Sequence, residues 1–205
     1  LPPFRQFQGR APSTLAGSSS PAISNFQLAI AKFGLRLSCI NAGQSGGQDT
    51  MTQKASHLYF RCSKCGTVNR LARGRENEGS KCGQCKDPLD TQAKPAEVSD
   101  EGLAKLVKQR QVPVLIDFWA PWCGPCRAFA PQLEAYAKKH GGEILVAKIN
   151  TDEHKEFANA LQVQGIPTIA LFVGGAPVAV QSGAMSLVQL ERWVNDGLSG
   201  AAQPA

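Results

Sequence analysis

The chain has 205 residues, 42% of them hydrophobic and 19% charged, an ordinary globular composition with room for one domain of usual size and a small companion. No run of about 18 apolar residues occurs, which excludes a membrane-spanning helix, and collagen, coiled-coil and wholly disordered compositions do not fit. The net charge of +6 is unevenly placed: residues 1–50 carry four Lys/Arg against one acid, residues 51–98 nine against five, and residues 99–205 nine against ten. The nearly neutral C-terminal half is not that of a nucleic-acid binder.

Residues 1–50 are Pro-, Ser- and Gly-containing and poor in acids, with Asp49 alone. They read as a disordered leader or as translation ahead of a true start at Met51; an organellar transit peptide is a third reading. Cys39 lies in this segment without a partner and receives no role.

Residues 57–90 form a compact Cys-rich unit. Cys62-Ser-Lys-Cys65 and Cys82-Gly-Gln-Cys85 are spaced C-x2-C-x16-C-x2-C, the pattern of a four-thiolate Zn2+ site in which two tight turns each present two sulfurs. Four thiolates on one Zn2+ leave a net charge of −2, which Arg61, Lys64, Lys81 and Lys86 offset. That compensation accounts for the local basicity better than nucleic-acid contact, since only Tyr59 and Phe60 offer stacking surfaces. Two disulfides are the rival pairing, and a reducing compartment such as the cytoplasm disfavours them.

Residues 91–97 read as a polar linker. Ser99 is a fitting N-cap with Asp100 and Glu101 in the first turn, and Leu103, Leu106 and Val107 give a helical stripe. Val112 to Ala120 is a near-continuous apolar run, the mark of a strand buried on both faces. A helix is predicted after Cys123-Gly-Pro-Cys126, with Phe129, Leu133, Tyr136 and Ala137 inward. A second buried strand follows at Ile144–Ile149, then a short helix at Glu153–Leu161. Thr168–Val173 and Pro177–Gln181 flank Gly174-Gly175-Ala176 as a hairpin. Leu187, Leu190, Val194 and Leu198 mark a last helix, and a short strand is expected near Glu97. Residues 200–205 are a tail. The order implies an α/β fold with a central mixed sheet, parallel first and closed by an antiparallel hairpin, with helices on both faces.

Trp122-Cys123-Gly124-Pro125-Cys126 lies between a buried strand and a helix. There the free amides and the dipole of a helix N-terminus favour a Cys123 thiolate. Cys123 is the expected nucleophile on a substrate disulfide and Cys126 the resolving thiol. Asp117, in an apolar strand six residues earlier, is the candidate acid–base group. Trp122 is expected to be exposed and to touch substrate, and Trp119 to pack.

Phe118 to Cys126 resembles the active-site segment of the thioredoxin family, and the resemblance covers about residues 98–199. It implies a thioredoxin fold and a thiol–disulfide oxidoreductase that reduces disulfides in protein substrates. It further implies that Asp117 takes and returns the proton of Cys126, that Lys148 lies beside Asp117, and that Ile166-Pro167-Thr168 is the loop whose cis proline faces the disulfide. It implies that Pro131 kinks the active-site helix and that Gly183 floors the substrate groove. With the Cys-rich unit in front, residues 57–199 are similar to the bacterial zinc-finger-containing thioredoxins, the thioredoxin 2 type; residues 1–50 have no counterpart there. No G-x-G-x-x-G follows a strand, so no bound nucleotide or flavin is expected. Electrons are expected from thioredoxin reductase, and the chain is expected to be a monomer without membrane association. The rival functions are an oxidase or isomerase of an exported compartment, and a zinc-ribbon binding module on a redox-fold scaffold. An oxidant-sensitive ribbon that caps the Trp122–Cys123 surface is a further expectation.

Overall fold

A computed structural model describes residues 56–201. Residues 1–50 and Cys39, with the expectations placed on them, lie outside the described residues.

Strands β1 (His57–Arg61) and β2 (Val68–Ala72) pair antiparallel as a two-stranded ribbon. A five-stranded sheet follows, ordered β3-β5-β4-β6-β7. Its strands are β3 (Ala96–Glu97), β4 (Val114–Trp119), β5 (Leu145–Asn150), β6 (Thr168–Val173) and β7 (Ala176–Ser182). β3, β5 and β4 run parallel, whereas β6 and β7 are antiparallel additions. Four helices complete the described chain: α1 (Asp100–Val107), α2 (Gly124–Lys139), α3 (Glu156–Ala160) and α4 (Leu187–Ala201). This is the mixed sheet with helices on both faces that the sequence implies, preceded by a small four-cysteine ribbon.

The period-two geometry of strands sorts the core into two layers. Ile116, Phe118, Ala147, Ile149, Ala170 and Phe172 face α1 and α3. Leu115, Val146, Ile169 and Leu171 face α2 and α4, meeting Phe129, Leu133, Leu190 and Val194. β4, buried on both faces, carries one buried charged residue, Asp117.

Ser99 caps α1, its Oγ accepting from the Gly102 amide at 3.2 Å. Asp100 is a first-turn acid of α1, as expected, and has a second role. It is buried, and its carboxylate accepts from the amides of Phe157 (3.1 Å) and Glu156 (3.4 Å), capping α3 across the fold. Lys155, the residue before α3, makes no side-chain cap of its own, so a carboxylate distant in sequence supplies it. In the β6–β7 hairpin Gly174 and Gly175 take φ of 60° and 90°, the left-handed pair that a two-residue turn needs.

The ribbon is docked on the domain. Ala96–Glu97, within the segment read as a linker, form β3 and pair with Ala147 and Lys148. The Tyr59 amide donates to Gly142 O at 2.8 Å, and Arg73 pairs with Glu143 at 2.6 Å. Tyr59 and Val68 pack against the α1 side of the core. Gly142, at φ 78°, permits the contact: a Cβ there would stand 2.6 Å from Leu58 Cβ and 2.9 Å from Phe60 Cζ.

The docking position revises the expectation of a ribbon that caps the substrate surface. Gly142 precedes the first residue of β5, and Cys123 follows the last residue of the parallel strand β4. Six residues of strand separate the two levels, about 20 Å at roughly 3.3 Å per residue. Ribbon and dithiol occupy opposite ends of the sheet.

Candidate functional site

Cys123 is the N-cap of α2, and its Sγ accepts from the Cys126 amide at 3.1 Å. Strand β4 ends at Trp119, a turn spans Ala120 to Trp122, and Pro125 opens the helix in its first turn, where a missing N–H costs nothing. Cys123 and Cys126 are joined as a disulfide. Both are buried, while Gly124 and Pro125 between them are exposed. A sulfur at this position receives a helix-end amide and the positive end of the peptide dipoles, so reduction leaves a thiolate stabilised at Cys123. Pro131 lies inside α2 and cannot donate to the carbonyl one turn back.

The Ile166–Pro167 bond is cis, and the Ile166 carbonyl oxygen stands 3.7 Å from Cys123 Sγ. The Gly183 amide donates to Pro167 O at 2.8 Å, with Gly183 at φ 102°. Trp122 is 68% exposed, as expected. Its indole N–H donates to both carboxylate oxygens of Asp152, at 3.0 and 3.2 Å. Asp152 is a neighbour that sequence reasoning missed. It lies thirty residues on, in the loop after β5, and only the pairing of β4 with β5 brings the two together.

Asp117 is 1% exposed, and its Oδ1 has no hydrogen-bond partner. Burial pushes its carboxyl up to about 7, and the Lys148 ammonium opposes that shift. A carboxyl so placed exchanges its proton near neutral pH. Lys148 is its register partner on β5 and is 19% exposed. The Lys148 ammonium sits 4.1 Å from the Trp119 ring centroid and 3.7 Å from Glu97 Oε1. The structure thus brings Cys123, Cys126, Ile166, Pro167 and Gly183 to one end of the sheet, and places Asp117 and Lys148 in adjacent strands beneath α2.

The second cluster is the ribbon's. The Sγ atoms of Cys62, Cys65, Cys82 and Cys85 all lie within 4.8 Å of one another, with Cys62–Cys85 and Cys65–Cys82 each at 3.6 Å. Those separations exceed a disulfide bond of about 2.05 Å. They suit a tetrahedron of sulfurs around one ion, where metal–sulfur bonds of about 2.3 Å set sulfur–sulfur spacings near 3.8 Å. The cluster can therefore hold a metal ion.

Two matching turns build it. The Cys62 amide donates to Thr67 O and the Gly66 amide to Cys62 O; likewise the Cys82 amide donates to Asp87 O and the Lys86 amide to Cys82 O. Gly66 (φ 76°) and Lys86 (φ 64°) occupy equivalent left-handed positions, so a lysine stands where glycine was the residue to look for. The backbone amides of Cys85 and Gln84 hold the Cys82 thiol down to about 6, which favours the ligating thiolate. Of the basic neighbours, Lys64 pairs with Asp87 at 2.8 Å and Lys86 donates to Gly83 O.

Among the described residues, no helix is long and apolar enough to cross a membrane. A family model for thioredoxin matches residues 94–196. Thioredoxin C-3 of Corynebacterium nephridii is 34% identical over 137 residues, covering 67% of this chain and 93% of that protein. Thioredoxin 1 of Nostoc sp. is 42% identical over 97 residues (47% and 91%), and the thioredoxin of Alicyclobacillus acidocaldarius is 47% identical over 90 (44% and 86%). With the helix-capping dithiol, the buried acid and the mixed sheet in place, the chain belongs to the thioredoxin family of thiol–disulfide oxidoreductases.

Proposed function

We propose that this chain reduces disulfides in other proteins through Cys123 and Cys126, is returned to the dithiol form by thioredoxin reductase, and works in the cytoplasm as a monomer. The observation that carries this reading is the Cys123 sulfur at the N-cap of α2, 3.1 Å from the Cys126 amide and bonded to Cys126.

In the forward direction the Cys123 thiolate attacks one sulfur of a substrate disulfide. A Cys123–substrate disulfide forms and the first substrate sulfur leaves as a thiolate. Asp117 takes the proton of Cys126. The Cys126 thiolate attacks Cys123 Sγ, closes the Cys123–Cys126 bond and releases the second substrate thiolate. Two electrons pass to the substrate, and the reductase resupplies them. Lys148 moderates the charge on Asp117. Exposed Trp122, steadied by Asp152, together with Gly124, Pro125, the Ile166–Pro167 edge and Gly183, forms the surface on which an extended substrate segment lies.

Cys62, Cys65, Cys82 and Cys85 hold one Zn2+. The ion is structural and supplies no step of the reaction. This assigns the chain to the zinc-finger-containing, thioredoxin 2 type. The 137 residues aligned with the Corynebacterium protein support that assignment, because residues 94–205 number only 112 and the likeness must reach back into the ribbon.

The test is insulin reduction coupled to thioredoxin reductase. Cys123→Ser abolishes it, and Cys126→Ser accumulates mixed disulfides that mass spectrometry identifies. Alkylation at pH 6–7 that reaches Cys126 before Cys123 would reverse the roles.

A further inference from the structure

Three parallel strands place three charged residues in one row. Glu97 on β3 is the register partner of Lys148 on β5, and Lys148 is the register partner of Asp117 on β4. The row runs from solvent to core: the Glu97 side chain is 71% exposed, that of Lys148 19%, and Asp117 as a residue 1%. We propose that Glu97 is a positioning residue of the dithiol site, holding the Lys148 ammonium at the edge of the sheet, over the Trp119 ring and away from the Asp117 carboxyl.

The distances support that division. The Lys148 ammonium lies 3.7 Å from Glu97 Oε1 and 4.1 Å from the Trp119 ring centroid, whereas Asp117 Oδ1 has no hydrogen-bond partner. A lysine free to choose would move toward the buried carboxylate, because an ion pair is stronger where water is excluded. Two weaker attractions hold it back: the edge carboxylate of Glu97 on the opposite side of β5, and the Trp119 indole face farther along β4. An exposed pair at 3.7 Å adds little to stability. Its consequence lies on the inner side of the ammonium, where a small movement of charge acts on Asp117 without solvent to screen it.

Among the described residues, the charged or titratable groups facing Asp117 are few. β5 contributes Lys148 and β3 contributes Glu97 through it; α2 carries the Cys123–Cys126 disulfide, which does not titrate in the oxidised chain. β6 presents Ile169 opposite Asp117, and α4 presents Leu190, Trp193 and Val194 to this layer. Lys148 is the charge that lowers the proton affinity of Asp117, so what positions Lys148 sets how readily Asp117 gives up its proton. The consequence for turnover rests on the proposed role of Asp117 in proton transfer; the positioning itself does not.

The experiment separates the two. In the oxidised full chain, the 13Cγ shift of Asp117 is followed against pH by NMR, in the native protein and in Glu97→Gln. Removing the edge carboxylate frees Lys148 to approach Asp117 and favours the carboxylate. The midpoint should fall by about half a pH unit, the size of one screened charge at this range. An unchanged or raised midpoint overturns the proposal. In a Lys148→Met background the same substitution should move the midpoint less than half as far, and an equal shift there also overturns it. The pH–rate profile of insulin reduction is then compared. A carboxyl midpoint that moves while the rate profile stays in place leaves Glu97 as the positioning residue and removes Asp117 from proton transfer.

Discussion

The ribbon and the domain behind it are built around different centres. The ribbon's own buried cluster is Cys62, Cys82 and Leu89, with Cys65, Leu71 and Cys85 against it. The domain buries seventeen residues on the α1 side of its sheet and eleven on the α2 side. A unit below about 40 residues cannot cover the entropy of its chain with so little apolar surface. On the proposed reading its order depends on an ion that joins four sulfurs, whereas the domain's depends on side-chain packing. Cysteine does opposite work in the two places. In the ribbon four buried or half-buried sulfurs face one another and, on the proposed reading, serve as metal-binding thiolates; in the domain Cys123 caps α2, Cys126 sits in its first turn, and the two are joined as a disulfide.

The largest test of this contrast is removal of metal. Chelation, or Cys82→Ser, should abolish amide protection across residues 57–90, since structural zinc contributes on the order of 10 kcal/mol to such units. Residues 98–199 should stay folded, losing about 1–2 kcal/mol with the Tyr59, Val68 and Arg73 contacts. Hydrogen exchange resolved along the chain measures both, and collapse of the two regions together would erase the distinction.

Asp117→Asn sharpens the domain's side of the contrast. The native carboxyl titrates near 7 in the fold and near 3.9 unfolded. Below the unfolded value both states are protonated and no penalty exists. Between the two values the folded state holds the extra proton, so native stability falls as pH rises, and above 7 the loss is complete. The variant should therefore be more stable than native by roughly 2–4 kcal/mol at pH 8 and nearly equal to it at pH 4. Denaturant melts at the two pH values check this.

Gly142→Ala tests the join between the regions. A Cβ there meets Leu58 Cβ at 2.6 Å, on backbone at φ 78°. The cost should be about 2 kcal/mol, with protection of the Tyr59 amide lost and insulin reduction retained. The smallest effect is expected from Asp100→Ala, which strips α3 of its cap. About 1 kcal/mol should be lost, with exchange rising at the Phe157 amide and the ribbon unaffected.

The domain's elements were legible because each carries its own signal. β4 is a continuous apolar run, α2 has a helical stripe starting at its dithiol, and Gly174-Gly175 marks a turn. The four-cysteine spacing likewise announced the ribbon's centre. What stayed hidden are relationships between distant residues. Asp100 reads as a first-turn acid of α1, and only the fold shows that α3 also begins on its carboxylate. Asp152 has no signature apart from its proximity to Trp122. A short strand near Glu97 was legible, but its register, which sets Glu97 beside Lys148, was not, because two strand residues are too few to show a period. The docking at Gly142 is invisible since glycine there reads as an ordinary turn.

β3 pairs with β5 at Ala147 and Lys148 alone, so the leading residues Leu145 and Val146 present backbone to whatever lies beside them. Tyr59 and Phe60 of the ribbon line the cleft over those two residues. The opposite border of the sheet guards itself: β7 carries Pro177, and the pairing is irregular at Leu171/Phe172, both features that discourage another strand from adding on. The ribbon therefore serves as the selvedge of the β5 border, and a chain whose ribbon comes loose is left with one unfinished hem along which copies can stick together.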